Sequence, residues 1–360
     1  MASYKEIKKI EDVSMRLRVT DRLLALRKQL EVEIPQKTAT NTLLLATWNI
    51  REFGDNRTME SCHYIAEIID HFDIVVIQEV NSKKLQGLNT VMSILGDNWK
   101  YILSDGVEGT AGGNEAMAFV FNASKVQFTG MVGEIVLPEN KLMDGVQFAR
   151  TPYMASFRAG WFDFKLCTVH IYYGSEKNSE GLIQRRFDEI NTISNFLLKR
   201  QKSDDVSYIL LGDFNIPDVK GKYFNALVEE QTVTAGGKLK TTQKFFIPEE
   251  IRKHPTDLGH VNHYDQIAFS LKLEKNMVLY NDGEQKAGAF NFTKSVYKPE
   301  DWEEYRPHYQ DAFDKLTSKT KSEEKYFAGK WRTFQMSDHL PLWVELKIDF
   351  SDQYLINLTK

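Results

Sequence analysis

Four short runs in this chain are largely apolar, and each ends on a side chain that carries chemistry. They are TLLLATWNI (42–50), DIVVIQEV (73–80), WFDFKLCTVHIYY (161–173) and YILLGDFN (208–215). A near-continuous apolar run of this length is the pattern of a strand covered on both faces, because a half-exposed strand alternates apolar with polar. A chain with several such strands must cover them with helices or a second sheet. That excludes a helical bundle and a one-faced open sheet.

The intervening segments supply the cover. Helical spacing appears over 4–33, where leucines sit among charges until Pro35, and again near 58–71, 84–95 and 180–201. Further strand patterns lie at 117–122, 126–137, 153–160 and 341–348, and Arg158-Ala159-Gly160 is expected to form a hairpin turn. Residues 217–262 and 272–335 are less regular. Strands alternating with helices, plus hairpins, predict an α/β protein with mixed sheets. No repeat and no Gly/Ser- or Pro-rich linker divides the body.

Composition narrows the function. Lys+Arg number 46 and Asp+Glu 50, so no broad basic surface is available for a polyanion. A phosphate-bearing substrate would need local positive groups or a bound cation. Two cysteines, Cys62 and Cys167, exclude a disulfide framework and a cysteine-rich zinc site. The first residues carry no apolar signal core, and no run reaches a membrane-spanning length, so the expected compartment is the cytoplasm.

The polar residues at strand ends are the informative ones. Asn49, Glu79, His170, Asp213 and Asn215 each close an apolar run; HYDQIAF adds Asp265, and MSDHLPL places Asp338 and His339 just before the last strand. In open α/β sheets the strand termini form the binding crevice. Carboxylates and amides with imidazoles nearby suit Mg²⁺ or Mn²⁺ and phosphoryl chemistry. There is no G-x-x-x-x-G-K-[ST] loop, no H-E-x-x-H helix and no G-x-S-x-G elbow. Alone, each polar residue is better explained by a turn, a local cap or a local pair. The ordered set is what carries the argument.

That set (TWNI, IQEV, TVHIYY, LLGDFN, HYDQIAF and MSDHLPL, across residues 47 to 341) resembles the endonuclease/exonuclease/phosphatase superfamily, the DNase I-like phosphoesterases. The resemblance implies a four-layer α/β sandwich, two mixed sheets face to face with helices outside. It implies a metal site of Glu79, Asn49 and Asp338, with Mg²⁺ or Mn²⁺ as cofactor. It implies His339 paired with Asp265, and Asp213 as the residue that orients or deprotonates water. Asn215 would hold the phosphate. The DNase I branch further implies His170 with Glu115 as its acidic partner, and nominates Arg150 and Tyr153 of ARTPYMASF near the phosphate. Tyr172 and Tyr173 match nothing firm in that pattern.

Departures accompany the likeness. The DNase I branch is usually secreted and disulfide-bonded, and this chain shows neither mark; Gln266 after Asp265 breaks the inositol-phosphatase signature. Against the minimal fold the resemblance sets off a helical extension at 1–40, a core domain at 41–350 with an insertion near 272–335, and a tail at 351–360. The insertion is rich in aromatic residues, expected to pack over the sheet edge, the alternative being a base-stacking platform. The expected activity is a metal-dependent nuclease on DNA or RNA, acting as a monomer without a membrane. The alternatives are a phosphatase or lipid/inositol phosphodiesterase of the same fold, and a non-catalytic binding module.

Overall fold

The computed structural model describes residues 2–107, 113–174, 180–233, 239–273, 275–316 and 322–359. Strands β1 (Thr42–Phe53), β2 (Ile74–Asn81), β3 (Trp99–Leu103), β4 (Glu115–Asn122), β12 (Ala287–Ala289) and β13 (Leu342–Lys347) form one sheet, ordered β12-β13-β1-β2-β4-β3. Strands β5 (Gln127–Glu134), β6 (Tyr153–Ala159), β7 (Phe162–His170), β8 (Ser207–Asp213) and β11 (Asp265–Ser270) form the other, ordered β11-β8-β7-β6-β5. A separate hairpin pairs β9 (Glu229–Val233) with β10 (Leu239–Gln243). Each large sheet holds one parallel pair, β1–β2 and β7–β8, among antiparallel ones. The architecture is the expected α/β sandwich of two mixed sheets flanked by helices.

The period-two alternation of β1 explains the layering. Leu43 and Leu45 enter the core shared by the two sheets, whereas Leu44, Ala46 and Trp48 enter a second core beneath α1 (Val13–Glu33), α2 (Met59–Asp70) and α3 (Gln86–Leu95). All five are fully buried, so both faces of the strand are covered. Each leucine buried in this way contributes roughly 1.5–3 kcal/mol. On the far side, α4 (Glu180–Gln201) lays Ile190, Ile193 and Leu197 into the other core.

Local chemistry moves several boundaries. The 4–33 segment is broken: a short 3₁₀ turn, Lys5–Lys9, precedes α1, and the Asp12 side chain starts the helix by accepting the Met15 N–H. The β6–β7 turn is Gly160–Trp161, one step later than expected, because Arg158 and Ala159 remain paired with Asp163 and Phe162; Gly160 takes φ +55°. Strand β7 stops at His170, not at Tyr173. In the 272–335 segment Tyr305, Tyr309, Phe313, Tyr326 and Phe327 are buried in the core beneath the helices. The buried Glu60 carboxylate ties that layer to α1 and α2, accepting from Tyr64 (2.7 Å), Tyr305 (2.6 Å) and Arg18 (2.9 Å). These rings serve packing, so they are not a platform for bases. No helix among the described residues is long and apolar enough to cross a membrane.

Candidate active site

Sheet register assembles the site. In β7–β8, His170 stands opposite Asp213; in β11–β8, Asp265 stands opposite Asp213. Gly212, just before Asp213, takes φ +131°, and a Cβ there would lie 2.2 Å from the Val169 carbonyl oxygen, so the close approach of β7 and β8 requires glycine. On the facing sheet, Asn49 pairs with Gln78, and the β1–β2 register then shifts between Asn49 and Phe53. Glu79 sits in that irregularity with φ +60°. A bulge of this kind re-aims a side chain that the regular pleat would point elsewhere.

Asp213 is the hub. Its Oδ2 accepts from Asn49 Nδ2 at 3.0 Å and lies 3.5 Å from His170 Nε2 and 3.9 Å from His339 Nε2. Its Oδ1 accepts the Asn215 N–H at 2.8 Å. Asn49 Nδ2 also donates to Glu79 Oε1 at 2.9 Å, and Glu79 Oε2 accepts the Glu52 N–H at 2.9 Å. His339 Nδ1 is 2.8 Å from Asp265 Oδ2. Burial alone would lower the His339 pKa, but Asp265 and Asp213 outweigh it and hold the imidazole well above its ordinary value. The ring is oriented by Asp265 through its Nδ1.

His170 has its own acid. Its Nδ1 lies 3.0 Å from Glu115 Oε2. The same carboxylate receives the Arg150 fork, from Nε and from Nη2, the latter at 3.0 Å. Burial pushes Glu115 up, yet His170 and Arg150 prevail and bring it from 4.5 down to about 2. A depressed carboxyl stabilises the fold above its unfolded pKa and loses that contribution as pH falls through the folded one. Glu115→Gln is thus expected to cost on the order of 3 kcal/mol at pH 7. That cost should shrink between pH 4.5 and about 2, the interval between the ordinary and the folded pKa. Denaturant unfolding at several pH values measures it, and a cost independent of pH would refute it.

The donor set suits a divalent cation. Among the described residues Asn49 Oδ1 is buried with no hydrogen-bond partner, while the Nδ2 of the same amide is held by the Glu79 carboxylate at 2.9 Å. An orphaned amide oxygen next to a carboxylate fits Mg²⁺ or Mn²⁺, which take hard oxygen ligands. Asp213, Asp265 and His339 also offer ligand atoms within 4.8 Å of one another. With the His339 Nδ1 turned to Asp265, that trio also has the geometry for proton handling.

Most of the expected residues meet: Glu115, His170, Asp213, Asn49 and Glu79 form one chain of contacts, with Asp265 and His339 joining at Asp213. Others stand differently. Asp338 is half exposed and paired with Arg51 at 3.1 Å. Arg150 is committed to Glu115, and Asn215 Nδ2 donates to the Ile171 carbonyl at 2.8 Å. Tyr153 is buried, its hydroxyl on the Leu103 carbonyl at 3.0 Å, away from this set.

Several supporting residues escaped the sequence reading. Arg186, buried in α4 between the Tyr173 and Tyr223 rings, donates to the carbonyls of Tyr172, Tyr173 and Asn215. Those bonds peel the chain from β7 after His170 and hold the Asn215 turn, where φ is +53°. Glu189, one turn on and buried, accepts from the N–H groups of Ala149 (2.9 Å) and Tyr172 (3.0 Å). Gln78 bridges the sheets beneath the site, donating to Thr47 (3.1 Å) and Thr168 (3.0 Å). Ser337 joins Asn49 to His339, donating to the Asn49 carbonyl and accepting the His339 N–H. The one available signal was in α4: Arg186 and Glu189 share the helix face that carries Ile190 and Ile193, and charges on an apolar face ask for buried partners.

No protein-family model matches the chain. It is similar to deoxyribonuclease-1 of Rattus norvegicus, 28% identical over 188 residues that cover 48% of this chain and 60% of the relative. It is 25% identical to deoxyribonuclease-1 of Equus caballus over 210 residues, 55% of this chain and 67% of that one. The match thus spans three-fifths to two-thirds of these relatives' length. Among solved structures, an endonuclease/exonuclease/phosphatase family protein from Bacteroides thetaiotaomicron aligns with TM-score 0.48 and 15% identity, over 86% of this chain and 99% of that one. The human Nocturnin catalytic domain with bound sulfate aligns with TM-score 0.45 and 15% identity, over 85% and 94%.

Proposed function

We propose that this chain, a member of the endonuclease/exonuclease/phosphatase (DNase I-like) superfamily, is a divalent-metal-dependent phosphodiesterase that cleaves nucleic acid. The observation that carries the reading is the position of the Asp213 carboxylate, within reach of both imidazoles and of the Asn49 amide. A carboxylate there orients and deprotonates a water for attack on phosphorus. His339, held by Asp265, donates to the phosphoryl or leaving oxygen as negative charge develops, and His170, held by Glu115, does the same from the facing side.

Glu79 and Asn49 Oδ1 would hold a Mg²⁺ or Mn²⁺ ion, with Asp338 as a further carboxylate ligand once it leaves Arg51. A bound cation supplies charge neutralisation at the phosphoryl oxygens. Asn215 and Arg150 would grip the non-bridging oxygens once they leave the Ile171 carbonyl and the Glu115 carboxylate, and Arg150 brings local positive charge to a chain of 46 basic against 50 acidic residues. Binding to nucleic acid should accordingly be modest and cation-dependent.

The test is a hydrolysis assay on plasmid DNA, single-stranded DNA, RNA, and inositol or sphingolipid phosphates, with Asp213→Ala as the blank. Cleavage of nucleic acid is expected with Mg²⁺ or Mn²⁺, loss of it in EDTA, and recovery when the cation is restored in excess. Phosphate release from a monoester with no cut in any nucleic acid would overturn the nuclease reading in favour of a phosphatase.

A further inference from the structure

Arg57 lies in the short segment between β1 and α2. Its Nη1 donates to the Glu52 carbonyl at 2.8 Å, and its Nη2 donates to the Arg51 carbonyl and reaches the Met336 carbonyl at 3.5 Å. The guanidinium lies 4.9 Å from the centre of the Phe53 ring. Among the described residues its Nε, sealed from solvent, has no hydrogen-bond partner, and no carboxylate forms an ion pair with the guanidinium. Burial pulls the guanidinium down to about 10. Glu79 and Glu52 lie near enough to offset part of that burial, but the hydrogen bonds of this cation all go to carbonyls, a task that ion pairing does not explain.

The three carbonyls show the task. Arg51 and Glu52 sit where the β1–β2 register shifts, and Glu52 takes φ +43°. The Glu52 N–H holds Glu79 Oε2. Met336 immediately precedes Ser337, which in turn bonds the backbone of Asn49 and His339. One guanidinium thus fastens the turn that aims Glu79 to the segment that carries His339.

We infer that Arg57 is a positioning residue for the cation site: it fixes the left-handed turn at Glu52, so that the Glu52 N–H orients the Glu79 carboxylate toward the metal. This rests on the reading of Glu79 as a metal ligand. Without Arg57, the carbonyls of Arg51 and Glu52 lose their donor, the turn relaxes toward ordinary φ, and Glu79 loses the bond to its Oε2. Partners of this kind that orient a ligand typically set metal affinity by about 10–100-fold.

The experiment is Mn²⁺ titration by calorimetry on the full chain, with thermal unfolding measured in parallel. Arg57→Met is expected to weaken Mn²⁺ by about tenfold or more, and Arg57→Lys, which keeps the charge but not the fork, by less. The control is Arg332→Met: Arg332 also gives its protons to carbonyls, those of Ala328 and Tyr297, and neither belongs to the turn that holds Glu79. It should lower the melting temperature and leave Mn²⁺ affinity as in the parent. The reference is Glu79→Gln, which should abolish binding. If Glu79→Gln abolishes binding while both Arg57 variants bind as the parent does, the positioning role is overturned and the metal reading stands. If Arg332→Met weakens Mn²⁺ as much as Arg57→Met, the effect is general loosening and the role is likewise overturned. If Glu79→Gln binds Mn²⁺ as the parent does, the metal reading itself fails. Should Arg57→Met not fold, Arg57→Lys decides alone: weakened binding supports the role and parental affinity overturns it.

Discussion

His339→Ala is expected to lower turnover of the preferred phosphodiester by about 10²–10⁴-fold, the range for loss of a positioned proton donor. The imidazole is held 2.8 Å from Asp265 and 3.9 Å from Asp213, and those two acids raise its pKa against the opposing effect of burial. Removing it leaves Asp265 buried without its counter-charge, so a lower melting temperature should accompany the lost activity. The two effects separate in one preparation: circular dichroism well below the midpoint should match the parent while turnover has fallen. A loss confined to KM would mean that His339 binds substrate but takes no part in the chemical step. Parental turnover would sink the assignment of the whole site.

Asp213→Asn is expected to cost about 10³-fold or more in turnover, with little change in fold, because the shape is kept and only the charge is lost. An amide in that position cannot take a proton from water. It would also present its own N–H groups or a weaker acceptor to Asn49, His170 and the Asn215 N–H, all of which now share the carboxylate. Since Asp213 and His339 would act in the same step, Asp213→Asn with His339→Ala should be little worse than Asp213→Asn alone. Losses that multiply across the double variant would show that the two residues work independently, against the arrangement seen here.

What could be read in advance and what could not divides by the range of the physics involved. The strands were legible because a run such as TLLLATWNI repeats its requirement at every second residue, and the structure buries both faces of it. The site residues were legible as a set because each lies at a strand end, and register then brings Asp213 opposite both His170 and Asp265. The β6–β7 turn falls a step beyond Arg158-Ala159-Gly160 because pairing of Arg158 with Asp163 extends the strand, and no local signal announces such a cross-strand bond.

The chain's own residue order therefore determined the α/β sandwich and the membership of the polar set, since burial and periodicity act along the chain. Tertiary structure alone decided how that set is wired. Glu115 is shared between His170 and Arg150, Asp338 is turned to Arg51, and Arg186 and Arg57 clasp carbonyls of segments distant from them in sequence. Long charged side chains choose among partners that only the fold brings within reach, and the choice turns on desolvation and geometry at each point, quantities that spacing along the sequence does not carry.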